Sequence, residues 1–309
     1  MIRADHLTLV RLLLLPLPVA MLYQASAEWR LAALVVFVLL GLTDVWDGRL
    51  ARRQGATPIG EALDIIADRA FLAVVYCAFA DLGVVPLLAV TVLLAREYLV
   101  AALRVLPTVH ARTGLAGKLR TTFQMYGAGL LLLLWIITGF GSPGAAVTGR
   151  YAILGLMCLI LSVTIVTAAV YVWKARMEIA AGLRSRPLEI LRIGGAALIV
   201  PLLWAPLLKL GPPLSPAVGA FFACELARLL VRSHLLQGTD AAEARADRGE
   251  WGELLRLAFV CAAAIAARSL AELGRGMEAA TGVAVIVAAV SALEVIGRLA
   301  RSSRAGIYQ

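Results

Sequence analysis

Ten stretches of the chain are apolar over about the 20 residues that a helix needs to cross the hydrocarbon layer of a bilayer. They run roughly over residues 7–25, 30–48, 62–81, 84–103, 122–140, 151–173, 188–210, 216–235, 253–272 and 278–297. A chain built this way is expected to be an all-α, polytopic membrane protein. Its composition agrees: 61% of its 309 residues are hydrophobic, against about 45–50% in an ordinary soluble domain. Pro16 and Pro18 are expected to bend the first span, and Pro201 and Pro206 the seventh, because proline removes a backbone donor that neighbouring helices must then compensate. The basic, apolar N-terminus is interrupted by Asp5, His6 and Arg11 and reads as a retained first span rather than a cleaved leader.

The charge pattern sets an expected orientation. Arg49, Arg52 and Arg53 share one loop; Arg104, Arg112, Lys118 and Arg120 a second; Lys174, Arg176, Arg184 and Arg186 a third; Arg245 and Arg248 a fourth. The C-terminus adds Arg298, Arg301 and Arg304, whereas the intervening loops hold little beyond Arg30, Arg150, Lys209 and Arg275. By the positive-inside rule the basic loops and both termini face the cytoplasm. The net charge of +9 thus reads as lipid-facing, not as nucleic-acid binding. Cys77, Cys158, Cys224 and Cys261 stand singly in apolar stretches, and His6, His110 and His234 have no partners at metal-ligand spacing. They point to neither a zinc site nor a disulfide framework.

Against this background the stretch "TDVWDGRLARRQGATPIGEALDIIADR", residues 43–69, is anomalous. On helices, Asp44 and Asp47 share a face, and so do Asp64 and Asp68, because residues three or four apart are neighbours. Opposed, the two pairs bring four carboxylates to one point, where they repel unless a divalent cation joins them. Oxygen ligands without His or Cys favour Mg²⁺, Mn²⁺ or Ca²⁺. Gly48 and Gly60 let a ligand approach the backbone, Ala51 keeps that face narrow, and Arg52 offers a bidentate phosphate partner. Together these residues describe a site for a metal-bound diphosphate.

The spacing D-x2-D-G-x2-A-R-x7-G-x3-D-x3-D resembles the signature of the CDP-alcohol phosphotransferases, with Asp44, Asp47, Gly48, Ala51, Arg52, Gly60, Asp64 and Asp68 all in place. The resemblance covers roughly residues 5–180. It implies a six-helix, usually dimeric membrane core, a cytidine diphosphate lipid donor and a pair of Mg²⁺ or Mn²⁺ ions. It implies Asp44, Asp47, Asp64 and Asp68 as metal ligands, with Asp68 doubling as the catalytic base, and Asp44, Gly48, Ala51, Arg52 and Gly60 as contacts to the donor.

Two further stretches, "AREYLVAALR" (95–104) and "GKLRTTFQ" (117–124), resemble segments of bacterial phosphatidylglycerophosphate synthases. That resemblance implies transfer of a phosphatidyl group from CDP-diacylglycerol to sn-glycerol 3-phosphate at the cytoplasmic face of the inner membrane. Arg96, Arg112, Lys118 and Arg120 are the expected partners of the acceptor phosphate, with Glu97 orienting one of them. Arg120 departs from the usual lysine, and "HLTLVR" keeps Thr8 and Arg11 but lacks the Asn and Pro usually ahead of them. The alternatives are a sister enzyme using phosphatidylglycerol, inositol phosphate or serine, and a non-catalytic membrane protein. Residues 1–183 are expected to form the catalytic unit and 184–309 to add about four spans of unknown role, since no copy of the aspartate pattern occurs there.

Overall fold

The computed structural model describes residues 4–24, 26–54, 58–104, 114–185, 187–238, 250–272 and 276–304. All ten apolar stretches are helical, and among the described residues no strand occurs. The first stretch is divided at Pro16 into α1 (Ala4–Leu14) and α2 (Pro16–Leu22). There follow α3 (Ala27–Gln54), α4 (Pro58–Asp81), α5 (Leu87–Leu103), α6 (Gly114–Phe140) and α7 (Pro143–Ser185). The remainder comprises α8 (Pro187–Trp204), a 3₁₀ segment (Ala205–Leu210), α9 (Leu214–Gly238), α10 (Glu250–Glu272) and α11 (Met277–Arg304). The change to 3₁₀ geometry falls beside Pro206, which cannot donate to a continued α-helical ladder.

Among the described residues, four helical stretches are long and apolar enough to cross a membrane: Arg120–Gly139, Gly144–Ala181, Leu214–Val231 and Met277–Ala300. Leu7–Leu22 and Gly194–Leu210 are shorter apolar helices. The ten expected spans are thus unequal in length and apolarity. The signature charges interrupt the ends of α3 and α4, and α5 has 17 residues with Arg96 and Glu97 inside it. At the other extreme α7 has 43 residues, about 65 Å at 1.5 Å per residue. It outruns the hydrocarbon layer and carries Lys174, Arg176 and Arg184 beyond residues 151–173, the span expected from the sequence.

The chain is a multi-pass membrane protein, and its outer surface fits that setting. Leu31, Val35, Val38 and Leu39 on α3, and Leu159, Ile165 and Val166 on α7, are exposed, as lipid-facing side chains must be. The core is continuous. It joins Phe37 of α3, Phe71, Tyr76 and Phe79 of α4, Leu93 and Leu94 of α5 and Leu131 of α6 to Trp204, Phe221, Phe222 and Ala284 beyond residue 183. Between α6 and α7 the approach is close enough that a Cβ on Gly127 would lie 2.6 Å from Ile160 Cδ1. A larger residue there must push the Ile160 side chain aside, a restriction of packing and not of backbone conformation.

Candidate active site

The signature falls on two helices. Asp44, Asp47, Gly48, Ala51 and Arg52 lie on the last turns of α3, and Gly60, Asp64 and Asp68 on the first half of α4, which Pro58 opens. Proline suits a first helical turn, where its missing N–H has no intrahelical partner anyway. The side chains of Asp44, Asp47, Ala51, Arg52 and Lys118, and Arg112 entirely, lie outside the described residues.

Asp64 and Asp68, one turn apart, share a cationic partner from α1. Arg11 Nη2 donates to Asp64 Oδ1 at 2.8 Å, and Arg11 Nη1 lies 3.7 Å from Asp68 Oδ1. The guanidinium is buried, at 4% side-chain exposure, whereas the Asp64 side chain is 49% exposed. The Asp64 carboxylate therefore opens outward, Asp68 is mostly covered at 20% exposure, and the arginine neutralises both from behind. That geometry fits a divalent cation on the open side: the donors are hard oxygens, and a positive charge is already needed to hold two of them together.

The next residue of α4 belongs to a second cluster. Arg69 of α4, Arg96 of α5 and Arg120 of α6 all surround Glu97, which is buried. Arg96 Nη1 lies 3.2 Å and Arg69 Nη1 3.5 Å from its carboxylate oxygens, and Arg120 Nη1 donates to it directly. Gln124 accepts from Arg120 at 3.0 Å and lies 3.3 Å from the Thr164 hydroxyl of α7, and Arg69 Nη2 donates to Thr121 Oγ1 at 3.3 Å. Three guanidiniums face one carboxylate. Among the described residues, Arg96 Nε, Arg96 Nη2 and Arg120 Nε have no hydrogen-bond partner. A buried double excess of positive charge with spare donors is costly unless an anion completes it.

Arg96 and Arg120 of the expected acceptor set thus meet in space, with Glu97 orienting both. Arg69, Arg11 and Thr164 are additions. Arg69 and Arg11 each stand inside an apolar stretch, where a charge is rarely idle. Thr164 carries no such signal, because a lone Thr in an apolar helix usually bonds its own preceding turn, as it also does here to Ile160 O.

This arrangement sets a carboxylate pair beside a buried cluster of arginines on adjacent residues of one helix. It agrees with the comparisons. Residues 1–166 match the family model described as CDP-alcohol phosphatidyltransferase, and the chain belongs to that family and is an enzyme of that type. It is 29% identical over 147 residues to the CDP-diacylglycerol–glycerol-3-phosphate 3-phosphatidyltransferase of Rickettsia typhi, covering 46% of this chain and 79% of the relative. The protein of the same description from Sodalis glossinidius is 34% identical over 148 residues, covering 44% and 80%. A protein described as a probable phosphatidylglycerophosphate synthase from Mycobacterium tuberculosis H37Rv is 31% identical over 184 residues, covering 57% and 82%. No solved structure matches the chain.

Proposed function

We propose that the enzyme transfers the phosphatidyl group of CDP-diacylglycerol to sn-glycerol 3-phosphate, releasing CMP and forming phosphatidylglycerophosphate. The observation that carries the choice of acceptor is the Glu97 cluster. Among the described residues its three arginines face one carboxylate, an excess of two positive charges, and a phosphate monoester near neutral pH supplies about two negative ones. The descriptions of the relatives point the same way.

In this reading Arg69, Arg96 and Arg120 hold the acceptor phosphate, joined by Arg112 and Lys118. The acceptor hydroxyl then reaches the Asp68 side, one residue away on α4. Asp68 takes the hydroxyl proton as the oxygen bonds to the lipid-side phosphorus, and the bond from that phosphorus to the CMP oxygen breaks. Gly48, Ala51, Arg52 and Gly60 admit and hold the donor diphosphate. Asp44, Asp47, Asp64 and Asp68 would hold Mg²⁺ or Mn²⁺, which supplies charge neutralisation for the diphosphate and the departing CMP. Residues 1–183 carry these groups, and the basic loops support a location at the cytoplasmic face of the inner membrane.

The test is an acceptor panel with purified enzyme, CDP-diacylglycerol and Mg²⁺ or Mn²⁺, read as CMP release. Glycerol 3-phosphate is expected to outpace glycerol, phosphatidylglycerol, serine and inositol phosphate. A preference for any of the others overturns the acceptor assignment, and full activity in excess EDTA overturns the metal assignment.

A further inference from the structure

The four C-terminal helices lie outside the family match and outside the proposed chemistry, yet one of them grips the helix that carries Asp64 and Asp68. Helix α9 runs antiparallel along α4. Ser215 at its start donates to Asp81 at the end of α4. One turn on, a Cβ at Gly219 would meet Cys77 Cβ at 3.4 Å and Val74 Cα at 3.8 Å. Further along, Ala227 and Val231 pack on Ile66, with Val295 and Leu299 of α11 beside them. Lys209 of the 3₁₀ segment also donates to Ala80 O. On a helix that turns about 100° per residue, Ile66, Val74, Cys77 and Asp81 form a stripe on the side of α4 away from Asp64 and Asp68. The aspartates face the substrate side while α9 holds their helix from the back.

Helix α9 is itself fixed by a buried ionic hub. Glu225 Oε1 accepts from Arg228 Nε and Nη2 at 2.9 and 2.6 Å, and Glu225 Oε2 from Arg256 Nη2 of α10 at 2.8 Å and from Ser291 Oγ of α11 at 3.0 Å. Arg256 also pairs with Glu294, which accepts from Arg298 Nη2 at 2.9 Å. Glu225, Arg228 and Ser291 are buried. A network of this kind has one satisfied arrangement, and removing a member leaves a charge unpaired. Three helices are thereby held in one register against α4.

We propose that α9, α10 and α11 are a positioning device for the catalytic helix, with Glu225 as its central positioning residue: they fix where α4 presents Asp64 and Asp68 relative to Asp44 and Asp47 on α3. This rests on reading those aspartates as metal ligands. The signal to follow is therefore metal affinity, which a purely scaffolding role would leave alone in a protein that stays folded.

The experiment uses the full chain in detergent, with Mn²⁺ binding followed by electron paramagnetic resonance and folding by thermal unfolding. Glu225→Gln, the milder Ser291→Ala, and Gly219→Val, which wedges the α9–α4 seam without changing charge, are each compared with the parent. All are expected to weaken Mn²⁺ binding and to lower kcat. The loss should be about three- to tenfold for Glu225→Gln and Gly219→Val and smaller for Ser291→Ala, the size of effect that a small misplacement of ligands produces. Adding Arg256→Met to Glu225→Gln restores the charge balance of the hub and should recover most of the affinity. Should Glu225→Gln fail to fold, Ser291→Ala and Gly219→Val decide the question. Folded variants with parental Mn²⁺ affinity and kcat overturn the proposal. A parent that binds no Mn²⁺ overturns the metal reading of the aspartates instead.

Discussion

Arg96 is a residue whose surroundings dictate its expected behaviour. It is buried inside α5, one nitrogen engages Glu97, and Nε and Nη2 have no hydrogen-bond partner among the described residues. A charge-assisted hydrogen bond contributes about 1.5–3 kcal/mol. Arg96→Ala is therefore expected to raise the KM for glycerol 3-phosphate by roughly ten- to a hundredfold, with the KM for CDP-diacylglycerol nearly unchanged. Arg96→Lys should recover only part of this, because an ammonium cannot engage Glu97 and a phosphate with separate edges. Equal losses for both substrates would remove Arg96 from the acceptor site. Arg11 presents a different case. It supplies a fixed cation to Asp64 and Asp68, so Arg11→Gln should make the metal-free protein more dependent on added metal. A loss on the order of 1 kcal/mol, kept small because Asp64 is half exposed, lowers the metal-free Tm by about 2–4 °C. Saturating Mn²⁺ should then raise the variant's Tm by more than it raises the parent's. Thermal unfolding with and without Mn²⁺ checks this, and an equal gain in both would show that Arg11 does not share the metal's carboxylates.

Among the elements, α6 and α7 flank the Glu97 cluster through Arg120, Gln124 and Thr164, the cluster proposed to hold the acceptor. Gly127 sits one turn from Gln124, and its contact Ile160 sits one turn from Thr164. Gly127→Val forces Ile160 aside at a cost of about 1–3 kcal/mol and separates the Gln124–Thr164 contact. The expected result is a raised KM for the acceptor, largely reversed by adding Ile160→Ala, with Mn²⁺ affinity unaffected. An unchanged acceptor KM would detach this seam from the site. At this scale much was legible in the sequence. Apolar length located the helices, and the spacing of Asp64 and Asp68 placed both on one face of α4; of the four prolines expected to bend spans, Pro16 and Pro206 fall at breaks, whereas α2 runs through Pro18 and α8 through Pro201. The partners of each helix were not legible, because every apolar helix has similar faces and lipid satisfies any of them. The seam of α9 on α4 is written only as Gly219, Ala223, Ala227 and Val231 at four-residue spacing, a pattern that many spanning helices share. The length of α7 was missed because an apolar window stops where the charges begin, whereas the helix continues through Lys174 and Arg176.

The whole molecule joins a family match over residues 1–166 with a core that does not stop there. The described residues of the acceptor cluster, Arg69, Glu97, Arg96, Arg120, Gln124 and Thr164, all precede the end of α7. A chain ending at Ser185 therefore retains this cluster, which is proposed to select the acceptor. It loses the cover of α4, the hydrogen bond from Tyr98 OH to Phe222 O at 3.4 Å and the contact of Asp81 with Ser215. In lipid the exposed apolar stripe costs little by itself, because acyl chains replace side chains. The price is the lost packing and the unpaired polar groups, foremost Asp81. The truncated enzyme is thus expected to insert, to unfold at lower temperature and to turn over more slowly, while ranking acceptors as the full chain does. The acceptor panel run on membranes containing each form, below the unfolding temperature of the shorter one, checks this. A changed ranking would show that the C-terminal helices line the acceptor pocket. An unchanged rate and an unchanged unfolding temperature would show that the grip of α9 on α4 does not stabilise the catalytic helices.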